Sequence, residues 1–137
     1  MLAAMGEPSA SLGAAWREAS ASWFTKRLVG AVDLAVFVID DADGRVVAAA
    51  AGLCESRAPS GGNLSGQVGR IFNVVTDPDH RRQGMARECT TAVLDWLEEH
   101  TAVGVCELSA SADGDALYRS LGFRPGGHPV LRLTLPR

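Results

Sequence analysis

Lysine is almost missing from this sequence of 137 residues: Lys26 stands alone against twelve arginines. The bias is a surface or genomic trait and decides nothing about chemistry. Neither sign of charge is in large excess, since 13 basic and 16 acidic residues leave a net charge of −3. That balance argues against wholesale nucleic-acid binding, which needs a basic face. No run of about 18 apolar residues occurs, so no transmembrane helix is expected. Met1-Leu2-Ala3-Ala4-Met5-Gly6 has no basic n-region and no long apolar core, and so does not read as a signal peptide. Cysteine is scarce and odd in number. Cys54, Cys89 and Cys106 lack metal-ligand spacing, and no metal site is expected. Cys89 and Cys106 fall at apolar positions of a predicted helix and a predicted strand, where they read as buried free thiols of a reducing cytoplasm. Neither G-x-x-x-x-G-K-S/T nor G-x-G-x-x-G is present, so a nucleotide P-loop and a dinucleotide turn find no support.

What remains is ordinary for one soluble domain, with 47% hydrophobic and 21% charged residues. Residues 12–28 predict a helix with Leu12, Ala15, Trp16, Ala19 and Trp23 toward one side, capped by Ser9 or Ser11. Residues 34–39 predict a strand, residues 40–44 a hairpin turn, and residues 46–54 the returning strand. The alanines at 48–51 mark a place where something packs closely on the sheet. Residues 56–67 carry Pro59, Gly61, Gly62 and Gly66 and predict a long, flexible connection, a length that is often functional. A strand over 69–76 follows, then a helix over 84–100 with Met85, Cys89, Ala92, Val93, Trp96 and Leu97 on one face. Residues 103–108 predict another strand. A short helix over 114–121, capped by Ser111 or Asp113, ends at Gly122. A last strand is expected over 130–135. Helices and strands in this order predict an α/β or α+β fold with a mixed sheet, and the unit around residues 69–108 predicts a parallel crossover.

The most informative stretch is Val75-Thr76-Asp77-Pro78-Asp79-His80-Arg81-Arg82-Gln83-Gly84-Met85-Ala86. A strand stops at a proline, a loop with two arginines and a glycine follows, and a helix begins at once. Free backbone N–H groups and the positive end of a helix dipole then converge on one point, a geometry that holds phosphate or pyrophosphate.

With Asn73 and Val74 ahead of it, that stretch resembles the acetyl-CoA-binding motif of the GNAT N-acyltransferase superfamily. Downstream, Ala116-Leu117-Tyr118-Arg119-Ser120-Leu121-Gly122-Phe123 is similar to the family's A-x-x-Y-x-x-x-G-F ending. The resemblance implies a single domain: an N-terminal helical part (1–32), antiparallel strands (33–76) and a cofactor-binding half (77–137). It implies a mostly antiparallel sheet in which a bulged strand splays from its parallel neighbour. It also implies transfer of an acetyl group from acetyl-CoA to a primary amine of a small molecule or peptide. The N–H groups of Arg82, Gln83, Gly84, Met85 and Ala86 would hold the pyrophosphate of coenzyme A, with charge from Arg81, Arg82 and Arg87. The backbone of Asn73, Val74 and Val75 would meet the pantetheine arm, and one N–H there would polarise the thioester carbonyl. Tyr118, the only tyrosine, is the candidate general acid.

The base is less defined. Where some relatives carry glutamate on the strand before the motif, this chain has Arg70. Glu55 is a candidate facing the acceptor, or else an exposed strand-end charge. Asp113 stands where many relatives have asparagine, either capping the short helix or touching the cofactor. Residues 1–6 look like the last turns of the family's first helix with no strand ahead of them, so either the usual first strand is absent or the chain starts at an internal methionine of a longer reading frame. An unpaired edge on the 34–39 strand would invite a homodimer. The alternative to an enzyme is a GNAT-fold module that binds acyl-CoA without turnover.

Overall fold

Three stretches rich in β-branched and small apolar residues are strands in the computed structural model, which describes residues 10–137 and side chains from residue 13 onward. They are β1 (Leu34–Asp40), β2 (Val46–Ser56) and β3 (Gln67–Thr76), joined in antiparallel pairs. A short β4 (Cys106–Glu107) lies parallel to β3. The order across the sheet is β1-β2-β3-β4, the mixed, mostly antiparallel sheet that the sequence predicts. Three helices accompany it: α1 (Ala10–Leu28), α2 (Met85–His100) and α3 (Asp115–Ser120). No helix among the described residues is long and apolar enough to cross a membrane.

The β1–β2 hairpin closes around Asp41. Its carboxylate accepts the N–H groups of Asp43 and Arg45, each at 2.9 Å, and Gly44 takes a φ of 79° to complete the turn. Those backbone bonds, Arg45 foremost, hold the Asp41 carboxyl below the usual carboxylate range.

The core lies where α2 crosses β2. Ala48 and Ala50 are fully buried beneath Cys89, Val93 and Leu97. The reason for alanine and glycine here is distance. A Cβ on Gly52 would stand 2.4 Å from Val93 Cγ1, and one on Gly69 would stand 2.9 Å from both Cys106 Sγ and Leu97 Cδ1. The apolar face read from the sequence of α2 is the one that packs, with Thr90 buried beside it. A close helix–sheet approach therefore fixes where the start of α2 stands relative to β3.

Several expectations need correction. Residues 103–108 form a strand only at Cys106 and Glu107: Val105 O still accepts Gly69 N–H at 2.9 Å, and beyond Arg70 β3 turns away and leaves Leu108 unpaired. Residues 130–135 pair with nothing and are exposed, since a strand pattern supplies no edge by itself. The connection over 56–67 is tied down: Arg57 N–H donates to Gly66 O at 2.8 Å, Ser60 pairs with Asn63, and Ser65 Oγ donates to Ala102 O at 3.1 Å. In α1 the apolar residues gather poorly, and Trp23 is 41% exposed. The helix touches the sheet through an aromatic group in which Phe24 stacks on Phe72 at 6.1 Å and Trp23 meets Phe72 edge-on at 6.3 Å. Ser11 falls inside α1 and is not its cap. Ser9 and the reading of residues 1–6 as the end of a preceding helix lie outside the described residues. Asp113 does not cap α3; Ser111 Oγ accepts Gly114 N–H at 3.2 Å instead.

Candidate active site

A single residue opens the site. Asn73 has a φ of 50°, a left-handed conformation that asparagine adopts more readily than most residues. The register slips there, with Val75 facing Ala49 but Phe72 facing Ala51, so Asn73 and Val74 together oppose Ala50. A bulge of this kind bends its strand. The ladder to β4 accordingly stops at Arg70–Glu107, and residues 71–76 present their outer edge to a wedge instead of a strand. The wedge widens into a cleft of about 1060 Å³.

The next residues build the charged end of that cleft. Asp77 accepts Asp79 N–H at 3.2 Å and starts a 3-10 turn over Pro78–His80. Arg82 at φ 61° and Gly84 at φ 78° then swing the chain into α2. The helix ladder begins with Glu88 N–H on Gly84 O at 3.0 Å. The N–H groups of Met85, Ala86 and Arg87 therefore have no acceptor inside the helix and point along its axis. Arg81, Arg82, Gly84, Met85, Ala86 and Arg87 all border the cleft, whereas Gln83 is exposed outside it. Gly84 is required for its backbone angle; nothing in the chain lies within 4 Å of where its Cβ would be. Three guanidinium groups beside free N–H donors fit an anion as large as a pyrophosphate.

The opposite wall comes from α3. Tyr118 is buried, packed edge-on to Phe123 at a centroid distance of 6.1 Å, and it borders the same cleft as Asn73, Val74 and Val75. Gly114 makes room for its ring: a Cβ there would lie 2.9 Å from Tyr118 Cε2. Burial pushes the Tyr118 phenol above its ordinary pKa, so it keeps its proton through the neutral range. Arg87 Nη2 donates to Ser120 Oγ at 2.5 Å and ties the start of α2 to the end of α3. Asp113 borders the cleft as well.

Glu55 is not brought to this place. It sits opposite Val68, three residues before the cleft begins at Ile71. Its carboxylate accepts Arg57 Nη2 at 2.7 Å, and the same guanidinium reaches Glu107 at 3.2 Å. Arg70 stands 3.8 Å from Glu107 and extends the network. The structure also adds residues that sequence reasoning passed over. Phe72, Thr76, Leu108 and Leu117 line the cleft, and His80 lines it too. Thr76 Oγ1 and His80 Nδ1 are buried without a hydrogen-bond partner. The signal for Leu108 was its place just beyond the end of the parallel ladder, which shows only once the splay is known.

Some chemistry is excluded by position. None of the three cysteines borders the cleft, and burial raises all three thiols. A covalent acyl-thiol route on this chain therefore has no nucleophile. No group of three or more histidine, cysteine or acidic side chains fit to hold a metal occurs among the described residues.

Comparison with known proteins agrees with this geometry. The chain is 40% identical over 58 residues to the ribosomal protein bS18-alanine N-acetyltransferase of Escherichia coli strain K12, a match covering 39% of this chain and 37% of that enzyme. Among solved structures it superposes on a predicted acetyltransferase from Clostridium acetobutylicum determined with acetyl-CoA, with a TM-score of 0.79 and 22% identity over 94% of this chain and 79% of that one. A GCN5-related N-acetyltransferase from Ralstonia eutropha superposes with a TM-score of 0.76 and 20% identity over 92% of this chain and 81% of that one. These structures share the fold. The sequence profile of the acetyltransferase (GNAT) family matches residues 8–123, and the chain belongs to that family.

Proposed function

We propose that this protein is an acetyl-CoA-dependent N-acetyltransferase acting on a primary amine of a small molecule or a peptide. One observation carries the reading: a buried, protonated Tyr118 faces the bulged Asn73–Val75 backbone across one cleft whose far end is the arginine-lined start of α2. Bound acetyl-CoA would supply an activated acetyl thioester; the chain supplies position and protons. The N–H groups of Met85, Ala86 and Arg87, with Arg81, Arg82 and Arg87, would hold the pyrophosphate. An unpaired N–H of residues 73–75 would hold the carbonyl oxygen, where a single such donor is worth roughly 100- to 1000-fold in rate. The amine nitrogen would attack the carbonyl carbon as the carbon–sulfur bond breaks; the Tyr118 hydroxyl would give its proton to the departing sulfur, and the proton lost by the nitrogen would return to Tyr118 through water. The reaction belongs in the cytoplasm, a setting that three free thiols favour.

Glu55 is left out of this scheme because its carboxylate is paired with Arg57 and does not border the cleft. The amine must then arrive neutral. The rate at subsaturating amine should rise tenfold per pH unit below the amine's own pKa. A plateau setting in well below that pKa would reveal a protein base instead.

The test is release of free thiol from acetyl-CoA with a panel of amines and N-terminal peptides. Turnover of at least one acceptor is expected. The second reading, an acyl-CoA-binding module without turnover, draws on the same displaced Glu55. It would win if coenzyme A bound, no amine was acetylated, and Tyr118→Phe changed nothing.

A further inference from the structure

The cleft has a second end, away from α2. Ile71, Phe72 and Leu108 line it there, just beyond the last rung of the parallel ladder, Arg70 with Glu107. A cofactor with its pyrophosphate at the start of α2 and its thioester at residues 73–75 leaves this end for the acceptor amine. One side of the sheet is shut to it, because Ile71, Cys106 and Leu108 pack on the α2 core. Gly69 faces that side too, against Leu97. Arg70, Phe72 and Glu107 therefore face the other side, where Phe72 meets Trp23 and Phe24 of α1. That side is open: the side chains of Arg70 and Glu107 are 37% and 45% exposed.

The charges on this approach are unevenly shared. Arg57 takes both carboxylates. Its Nε and Nη2 donate to Glu55 Oε2 at 3.2 and 2.7 Å, and its Nη1 and Nη2 donate to Glu107 Oε1 and Oε2 at 3.3 and 3.2 Å. Glu107 thus has both oxygens engaged, which leaves it a poor partner for an incoming ammonium group. Arg70 is left over. Its nearest carboxylate oxygen, on Glu107, is 3.8 Å away, beyond hydrogen-bond reach. Its side chain donates no hydrogen bond among the described residues. A partly exposed guanidinium with all its N–H donors unused is suited to gripping a carboxylate through two parallel bonds.

We infer that Arg70 selects the acceptor: the amine acetylated by this protein carries a carboxylate a few bonds from its nitrogen, and Arg70 holds that carboxylate beside Phe72 while the nitrogen faces the thioester. An amino acid, or a peptide that begins with an acidic residue, has this chemistry. Three residues of strand, roughly 10 Å, separate Arg70 from Asn73, a gap that the long Arg70 side chain and a small acceptor span together. The aromatic group of Phe72, Phe24 and Trp23 would cover the acceptor's carbon atoms. The inference rests on the N-acetyltransferase reading and names the substrate class for it.

Matched pairs of acceptors test it by thiol release from acetyl-CoA. Amino acids are compared with their α-carboxamides, and peptides beginning with Asp or Glu with those beginning with Asn or Gln. Rates are taken per neutral amine, because a carboxylate raises the pKa of a nearby amine. The preferred carboxylate should have a KM roughly 10- to 100-fold below that of its carboxamide. Arg70→Gln should raise the carboxylate's KM by that factor and leave kcat and the carboxamide nearly unchanged. Arg70→Lys, which keeps the charge without the planar fork, should recover part of the preference. Equilibrium binding of the N-acetyl products to the protein saturated with coenzyme A separates the two readings. Carboxylate-dependent binding that Arg70→Gln abolishes, with no turnover of any amine, would sink the enzyme reading and leave the Arg70 contact standing. Equal affinity within every pair, a carboxylate preference that survives Arg70→Gln, or spermidine acetylated in preference to every carboxylate would each overturn the inference.

Discussion

Tyr118 keeps its proton because its ring is buried between Phe123 and the space left by Gly114, with no charge invoked. If that proton goes to the leaving sulfur, Tyr118→Phe should lower kcat by about 100- to 10,000-fold. Coenzyme A affinity should barely change, because the ring still fits; equilibrium binding beside steady-state rates checks the split. Asn73 supports a different prediction. Asn73→Val forces a β-branched residue to a φ of 50° and should cost about 1–2 kcal/mol of stability. Asn73→Gly should keep the bulge and retain binding of coenzyme A. Asp41 sets an acid limit. Its carboxyl is depressed by hydrogen bonds in the folded state, so its contribution is complete above the unfolded value near 3.8 and fades as pH falls through the lower folded value. Thermal melts from pH 6 downward should show that loss in the wild type and a shallower acid limb in Asp41→Ala.

Among the elements, the contact of β2 with α2 makes the sharpest demand. Gly52→Ala puts a methyl 2.4 Å from Val93 Cγ1, a β-branched atom with little room to give. A loss of about 1–3 kcal/mol is expected by denaturant unfolding. Val93→Ala in the same chain should recover part of it, a coupling that separates overpacking from a general intolerance of Gly52. The demand was visible beforehand as the alanines at 48–51, but the residue that imposes it was not. The same holds for other elements. The period of α2 is strong because one face is buried throughout, so its residues could be named from spacing. β4 was overestimated at its far end because Leu108 has a strand-forming side chain whose pairing is broken by a bulge on a different strand; Val103 and Val105 precede the ladder, where Val105 O accepts Gly69 N–H. The alternation at 130–135 was legible, yet the segment pairs with nothing in this structure, because local alternation does not supply an edge.

For the molecule as a whole, ligand linkage gives the most direct measurement. If coenzyme A binds only the folded chain, a concentration 100 times Kd should stabilise it by about 2.7 kcal/mol. A Tm that does not move with coenzyme A concentration would contradict the proposed cofactor site. Much of that site could be read from the sequence because Arg81, Arg82, Gly84, Met85, Ala86 and Arg87 are consecutive neighbours, and a loop entering a helix brings its own residues together. Glu55 and Asp113 were harder to place. The place of Glu55 depends on the register of β2 against β3 and on its ion pair with Arg57, and that of Asp113 on where α3 packs relative to β3.

The parallel seam between β3 and β4 is only two residues wide, Gly69 with Cys106 and Arg70 with Glu107. So narrow a seam couples the two sides weakly, and the part carrying β4 and α3 should open at lower free energy than the β1–β3 meander. Amide exchange would then run in two tiers, fast on the Tyr118 side and slow in β2. A molecule lodged in the wedge would leave by parting that seam, making its residence time a measure of local unfolding more than of chemistry.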